Sequence, residues 1–467
     1  MQLLVNATTM ILFATISIMN LGFGDITFTE HVVAQNYNNP WSAFAIDVDN
    51  DNDIDVVGSG RLAHNISWWE NTGNFTFQQH TISTTSYYAM VVHALDIDID
   101  GDVDILCASQ NNGVELWENQ GNQNFFRHFI AVWPYASFLS VADVDNDNDV
   151  DVLVCCCEGG INRMGWLENQ GGLSFNEHIV TDNWDHANSV CGADLDSDGD
   201  VDLIGTASYA GEVAWFENDG SQNFTKHVIL STATRPSSAY ADDVDSDGDL
   251  DVLATICVLD IIAWFENDGS QVFTQHTIGT AFYRPHAVRT ADFDNDDDLD
   301  VFGSAITGSE IAWWENLGGT PVQWTKHVIA SSFSGATGIQ VVDMDYDEDV
   351  DVLGAAQFGN SIKWWENDLI PGISEYENSA RLGLSLNAVP NPAVSSVHLC
   401  FTIDHAADVL LEILDASGRC AASPVRGHFP AGTHDTTFDA AKYPCGVYFA
   451  RLSACGSQIV KEFALLK

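Results

Sequence analysis

The sequence predicts an all-β protein in which seven repeated units close into a ring and a smaller β unit follows. Three observations predict it. The pattern D-x-D-x-D-x-D-x-D starts at Asp47, Asp96, Asp143, Asp194, Asp243, Asp292 and Asp343, at intervals of 47 to 51 residues. About 21 residues after each start comes a Trp-containing motif that ends in Glu-Asn, from Trp68-Trp69-Glu70-Asn71 through to Trp364-Trp365-Glu366-Asn367. An aromatic-x-x-His motif follows in six repeats, as in Phe77/His80 and Trp324/His327. The seventh copy is missing after Asn367 and stands at the front of the chain, as Phe28-Thr29-Glu30-His31. A linear array starts and stops on whole repeats. A displaced final strand is what a closed ring needs to remove its seam, and such a repeat length with four strand-sized segments matches a β-propeller blade.

The first repeat drafts each blade. Ser42–Ile46 is expected as the inner strand and the aspartate run as the loop after it. Ile54–Gly58 and Ile66–Glu70 are the second and third strands, Asn71-Thr72-Gly73 a turn, and Phe77–Ile82 the outer strand. β-Branched and aromatic residues fill these runs, Asn and Gly tolerate positive φ at the turn, and no long 3.6-residue period interrupts them. The propeller is expected over residues 25–367 and a linker over 368–385, where Pro371, Gly372 and Gly383 punctuate the chain.

Composition narrows the partners. The 467 residues carry 16 Lys and Arg against 67 Asp and Glu, a formal net charge of −51. A hydrophobic content of 46% is too high for a disordered acidic chain. Nucleic acid is excluded as a partner, since phosphate binding needs clustered Lys and Arg, and an anionic membrane surface is disfavoured for the same reason. Residues 1–24 are expected to form a secretory signal: Met10–Leu21 is apolar, Gly22-Phe23-Gly24 is a small-x-small cleavage pattern, and Asp25 follows. The n-region contains no Lys or Arg. No other stretch approaches the ~20 apolar residues of a membrane span.

The acids are not scattered. Thirty-five of the 67 stand at alternate positions in the seven loops: Asp47, Asp49, Asp51, Asp53 and Asp55; Asp96, Asp98, Asp100, Asp102 and Asp104; Asp143, Asp145, Asp147, Asp149 and Asp151; Asp194, Asp196, Asp198, Asp200 and Asp202; Asp243, Asp245, Asp247, Asp249 and Asp251; Asp292, Asp294, Asp296, Asp298 and Asp300; Asp343, Asp345, Asp347, Asp349 and Asp351. Position six is Asn52, Gly101, Asn148, Gly199, Gly248, Asp297 and Glu348, and all but the last accept a left-handed backbone that curls carboxylates inward. Oxygens at positions one, three, five, seven (by backbone carbonyl) and nine can then surround a hard cation, and Ca²⁺ takes six to eight such ligands. An EF-hand needs Glu at position twelve, where this chain has Gly58, Cys107 and Gly205. The pattern resembles the calcium loops of FG-GAP and VCBS-type propeller repeats, the blades of integrin α-subunit heads and of many bacterial surface proteins. The resemblance covers residues 25–367, although the phenylalanine-glycine-glycine signature that names the family is not clear here. It implies up to seven structural Ca²⁺ ions, with Glu348 weakening the seventh site.

Seven in-register His invite a catalytic or metal reading. Each stands alone on an outer strand with no acid or nucleophile recurring beside it, so packing or hydrogen bonding is expected. The Trp-rich third strands are expected to fill the wedge between blades, and the glutamate beside them is left as a partner of the aspartate loop or a turn acceptor. Ligand binding is sought where the blades differ, in the connections from outer to inner strand. These carry Tyr37 and Trp41, Tyr87 and Tyr88, Trp133 and Tyr135, Trp184 and His186, Arg235 and Tyr240, then Phe282, Tyr283, Arg284 and His286. They are expected to gather at the end of the channel opposite the aspartate loops, as an exposed ring that stacks on a glycan or grips a surface protein, or as a plug of the channel mouth. No catalytic residue is assigned. His186 and His286 are the groups an enzyme acting on polysaccharide, lyase or hydrolase, would use; a structural or adhesive surface protein is the other alternative.

Residues 386–467 are expected to form a small Ig-like β-sandwich with strands over Val397–Thr402, Val409–Leu414, His434–Phe438, Gly446–Leu452 and Ile459–Leu465. Pro390-Asn391-Pro392, Ile413-Leu414-Asp415 with Ala416-Ser417-Gly418-Arg419, Ala431-Gly432-Thr433-His434, Gly446-Val447-Tyr448-Phe449, and Lys461 with Leu465-Leu466-Lys467 resemble the type A sorting domain of the type IX secretion system. Related modules also occur in flagellar hook-capping proteins, which leaves a plain accessory domain as the other reading. The resemblance implies recognition by that secretion machinery, and a protein secreted or held at the outer-membrane surface of a Gram-negative bacterium. Cys400, Cys420, Cys445 and Cys455 would allow two disulfides in three pairings. Cys107, Cys155, Cys156, Cys157, Cys191 and Cys257 sit in or beside apolar runs, where cysteine acts as a small hydrophobe.

Overall fold

The computed structural model describes residues 26, 28–157, 160, 162–296, 298–347, 349–367, 384–389, 396–403, 406–415, 420–440, 442–443, 446–454 and 457–465. The expected signal segment lies outside these residues, as do most of the expected linker and positions 297 and 348. The described elements are all β.

β1 spans Phe28–Gln35. The first blade-like sheet follows as β2 (Pro40–Ile46), β3 (Asp55–Gly60), β4 (Asn65–Asn71) and β5 (Phe77–Ser83), hydrogen-bonded in that order and antiparallel throughout. Five more sheets repeat it: β6–β9 within Ala89–Ala131, β10–β13 within Ala136–Thr181, β14–β17 within Ala187–Leu230, β18–β21 within Pro236–Gly279 and β22–β25 within Pro285–Ala330. The seventh holds β26 (Ala336–Val342), β27 (Asp351–Ala356) and β28 (Ser361–Asn367), and its fourth strand is β1, with Phe28 opposite Asn367 and His31 opposite Trp364. The displaced motif at the front of the chain therefore completes the last sheet. The first strand of each sheet packs on the first strand of the next, and β26 packs on β2.

Periodicity explains the layers. The second strand of every sheet is buried on both faces, as in β3 and β27, and runs from a leading Asp into apolar and small residues. The outer strands alternate buried and exposed positions, as in β5. Large aromatics fill the gaps between neighbouring sheets: Trp166, Trp184 and Phe216 join one cluster, and Tyr37, Trp69 and Trp364 another. At the β4–β5 turn the left-handed residues are Gly73, Asn74 and Phe75, while Asn71 stays in its strand.

The C-terminal unit has two sheets, β29-β30-β33 and β32-β31-β34-β35. The expected strands appear as β30 (Ser396–Ile403), β31 (Ala407–Asp415), β33 (Gly432–Asp439), β34 (Gly446–Ala454) and β35 (Ser457–Leu465). Two more, β29 (Leu384–Val389) and β32 (Cys420–Phe429), were not foreseen, and β29 begins inside the expected linker. Alternating residues such as Leu399, Phe401, Leu411 and Ile413 form its core. Cys400 is a free thiol, which removes the two-disulfide arrangement; Cys445 and Cys455 lie outside the described residues.

Candidate functional site

The aspartate runs occupy the connection between the first and second strand of each sheet, as expected. In the first, the carboxylate of Asp47 accepts the amides of Asp51 (3.2 Å) and Asn52 (2.9 Å), and Asp51 accepts that of Asp53 (2.9 Å). The same closure recurs on Asp96, Asp143, Asp194 and Asp243. Position six is left-handed at Asn52, Gly101, Asn148, Gly199 and Gly248. A second left-handed position, four, escaped the sequence reading: Asn50, Ile99, Asn146, Ser197, Ser246, Asn295 and Tyr346 all have φ near +60°. Ile and Tyr give no signal for that conformation, so the loop's hydrogen bonds impose it.

Position nine is fully buried. Asp55 accepts the amide of Val48 at 3.0 Å with one oxygen and that of Asn71 at 2.7 Å with the other. The pair to the Trp-Glu-Asn asparagine repeats in every sheet, through to Asn367 on Asp351 at 2.8 Å.

These constraints draw positions one, three and nine together. Asp47, Asp49 and Asp55 offer oxygens within 4.8 Å of one another, as do their counterparts at Asp96, Asp194 and Asp243; at Asp143 the trio is positions one, three and five. Position five is otherwise mostly exposed and stands outside four of these five groups, so positions one, three and nine are the side chains drawn closest. The position-three carboxylate is the informative one. In six loops (Asp49, Asp98, Asp145, Asp245, Asp294 and Asp345) one of its oxygens is buried with no hydrogen-bond partner. Buried acceptors are normally satisfied. Burial raises the position-three carboxyls above the ordinary range, with the neighbouring carboxylates adding to it, to about 7 at Asp294 and Asp345. Burial also raises position nine, to about 7 at Asp55 and about 8 at Asp300 and Asp351. A cluster of hard oxygens, one orphaned and all crowded by like charge, fits an oxygen-seeking divalent cation.

The in-register His have an acid partner that the sequence reading missed. His80 Nε2 donates to Glu70 Oε2 at 2.7 Å, and the pairs His31–Glu366, His128–Glu118, His178–Glu168, His227–Glu217, His276–Glu266 and His327–Glu315 repeat it at 2.6–2.7 Å. Most of these imidazoles also stack on the preceding strand's Trp, as His80 does on Trp68 at 4.7 Å. The signal was present: His80 lies opposite Trp68, and Glu70 shares Trp68's face two residues on.

The expected aromatic ring divides in two. Tyr37, Trp133, Trp184 and Phe282 are buried, so they are not an exposed ligand surface. Tyr37 donates to the Gly58 carbonyl at 3.0 Å and Trp184 Nε1 to Glu212 at 2.7 Å. Two residues after each of the four comes a left-handed residue that turns the chain into its sheet: Asn39, Tyr135, His186 and Arg284, with Tyr88 and Arg235 in equivalent places. Tyr87 and Tyr283 are exposed, and Tyr88 and Tyr135 half-buried.

Of the fourteen candidates, Trp41, His186, Arg235, Tyr240, Arg284 and His286 line one cavity of about 970 Å³ bounded by the first strands of all seven sheets. Arg61, His93, Tyr209 and Arg289 line it too and were missed, because they come from a second-to-third-strand turn or from the strands themselves. His286 donates from Nδ1 to the Thr337 carbonyl at 3.0 Å, and burial lowers it to about 4; His186 stacks on Tyr209 at 4.2 Å.

The FG-GAP-like repeat family matches residues 47–107, 96–154, 194–254 and 260–303, and the secretion system C-terminal sorting domain matches 387–465. The sorting domain is that of the type IX system and marks the chain for export, into the medium or to the cell surface. No helix among the described residues is long and apolar enough to cross a membrane. No curated protein gave a match. Among solved structures, the chain is similar to PorZ, a bacterial surface component of the type IX secretion system of Porphyromonas gingivalis, at 11% identity and a TM-score of 0.43. That alignment covers 91% of this chain and 58% of PorZ. It is also similar to a protein of unknown function from Desulfotomaculum acetoxidans, at 13% identity and TM-score 0.45, covering 82% and 99% of the two chains.

Proposed function

From a chain that carries FG-GAP-like repeats and a type IX sorting domain, we propose an exported, calcium-stabilised seven-bladed propeller, closed by its N-terminal strand, that binds a ligand at the mouth of its central channel and carries an Ig-like sorting tail. The ligand is a glycan or a surface protein. One Ca²⁺ per loop sits against positions one, three and nine, with position five beside them.

The observation that carries this is the buried, unpartnered oxygen of the position-three aspartate, repeated in six loops. A divalent cation supplies the missing partner and relieves the repulsion between the carboxylates around it. Its role is structural: the sites are near-equivalent, and an ion enclosed by protein oxygens ties the first strand to the second. His186 and His286 give no support to an enzyme, since one is stacked on Tyr209 and the other, half-buried, is hydrogen-bonded to the Thr337 carbonyl with its pKa lowered to about 4.

Calcium titration of the chelator-treated chain by calorimetry tests the reading. Several equivalents are expected to bind at roughly 10⁻⁴–10⁻³ M, the range of extracellular modules. Heat changes equal to those of buffer alone would overturn it.

A further inference from the structure

The channel's charge runs against that of the chain. In a protein of net charge −51, no residue lining the 970 Å³ cavity is Asp or Glu, while Arg61, Arg235, Arg284 and Arg289 all line it. The five other basic residues of the repeats behave differently. Arg127, Arg163, Lys226, Lys326 and Lys363 each pair with a glutamate, whereas none of the four channel arginines lies within 4.0 Å of a described carboxylate. Cations withdrawn from water without a counter-ion are unfavourable, and Arg289 is half-buried at mid-channel with one nitrogen on the Val288 carbonyl at 2.7 Å.

Three of the four are matched to aromatic rings. Arg61 lies 4.9 Å from Trp41, Arg235 5.4 Å from Tyr209 and Arg289 5.2 Å from Tyr240. Arg235 and Arg284 hold equivalent left-handed positions before Pro236 and Pro285 in successive sheets, and both exposed residues line the cavity at that end. Guanidiniums fork onto carboxylate or sulfate oxygens, and aromatic rings pack against the apolar faces of sugars. Alternating the two suits a chain of rings that bears negative charge.

We propose that the channel binds an acidic saccharide, one carrying uronate carboxylates or sulfate esters, with Arg61, Arg235 and Arg284 receiving it at the mouth and Arg289 pairing an anionic group within. The proposal rests on the ligand-binding reading above and adds its chemical class. The aspartate loops at the far end hold the rest of the chain negative, so the channel is the place where an anion gains rather than loses by entering.

Calorimetry on the calcium-loaded full chain tests it with four probes of matched length: a galacturonate trimer, a sulfated trisaccharide, a neutral trisaccharide and a glutamate peptide. One or both acidic sugars are expected to bind, more weakly as salt is raised, with the neutral sugar at least about tenfold weaker. Arg235→Gln and Arg284→Gln are each expected to weaken binding about tenfold without moving the melting temperature. Arg289→Gln, checked for an unchanged melt, should do the same. Equal binding of the neutral sugar, or no effect of the arginine substitutions, would overturn the acidic class while leaving a ligand at the channel. Tighter binding of the peptide would overturn the saccharide. Binding of none of the four would overturn this proposal and leave a surface protein as the ligand.

Discussion

The backbone amide of Asn71 donates to Asp55 at 2.7 Å, and so joins the last aspartate of the loop to the Trp-Glu-Asn motif 16 residues later. The Asn side chain extends the link between sheets: Asn218 Nδ2 donates to the Val144 carbonyl, Asn267 to Leu195 and Asn316 to Val244, each in the preceding aspartate loop. Loop closure and blade-to-blade contact are therefore one network, which separates the roles of the aspartates.

Positions nine and three should respond differently to the same truncation. Asp251→Ala strands the buried amides of Asn267 and Val244, so it is expected to destabilise by about 1–3 kcal/mol per amide, with or without calcium. Asp245→Ala removes an orphaned oxygen, so its melt in chelator should be little changed while its calcium-induced rise shrinks. Paired melts in Ca²⁺ and EDTA check this; equal effects of the two substitutions in both buffers would contradict it.

Acidity should act with opposite sense on the calcium-free protein from that usual for a folded domain. The position-nine carboxyls, raised to about 7 or 8 from an ordinary value of 3.8, hold protons in the folded state that the unfolded chain has released. Between those values the folded state binds more protons, so its stability falls as pH rises. In EDTA the melting temperature is expected to climb from pH 8 to pH 5. Calcium competes with those protons, and saturating calcium should flatten or reverse the trend.

The buried aromatics of the outer-to-inner connections are core. Trp184→Ala is expected to cost about 3–5 kcal/mol, read from denaturant melts, because it empties a space packed by Trp166 and Phe216. His227→Ala is expected to cost about 1 kcal/mol or less, since His227 and Glu217 are both partly open to solvent, which screens the pair.

Removing residues 28–35 should leave β28 as an unpaired edge. Such edges recruit other chains, so the truncated protein is expected to melt earlier and to self-associate in sedimentation, whereas loss of an ordinary surface segment would change neither.

The architecture was legible because each sheet repeats three motifs, and the stray Phe28/His31 motif revealed the seam that β1 fills. Strand ends came within a few residues, as Ser42–Ile46 against the observed Pro40–Ile46. What stayed hidden depended on register and direction. The His–Glu pairs need cross-strand alignment, and the left-handed residues at Ile99 and Tyr346 are held by a loop rather than chosen by propensity. Burial divided the aromatic candidates: Trp133 and Trp184 turn into the wedge between sheets, while Tyr87 and Tyr283, one place before left-handed residues, turn out. Arg289 gave no sign because an inner strand's channel-facing positions are polar in one blade and apolar in another.

Thermal unfolding across a calcium titration, starting from EDTA, tests the central claim most directly. Each site of about 1 mM affinity contributes about 1.4 kcal/mol at about 10 mM calcium by mass action, so seven would contribute about 10 kcal/mol. A large rise in melting temperature that grows with calcium concentration is expected. The same melt in EDTA and in 10 mM calcium would contradict it.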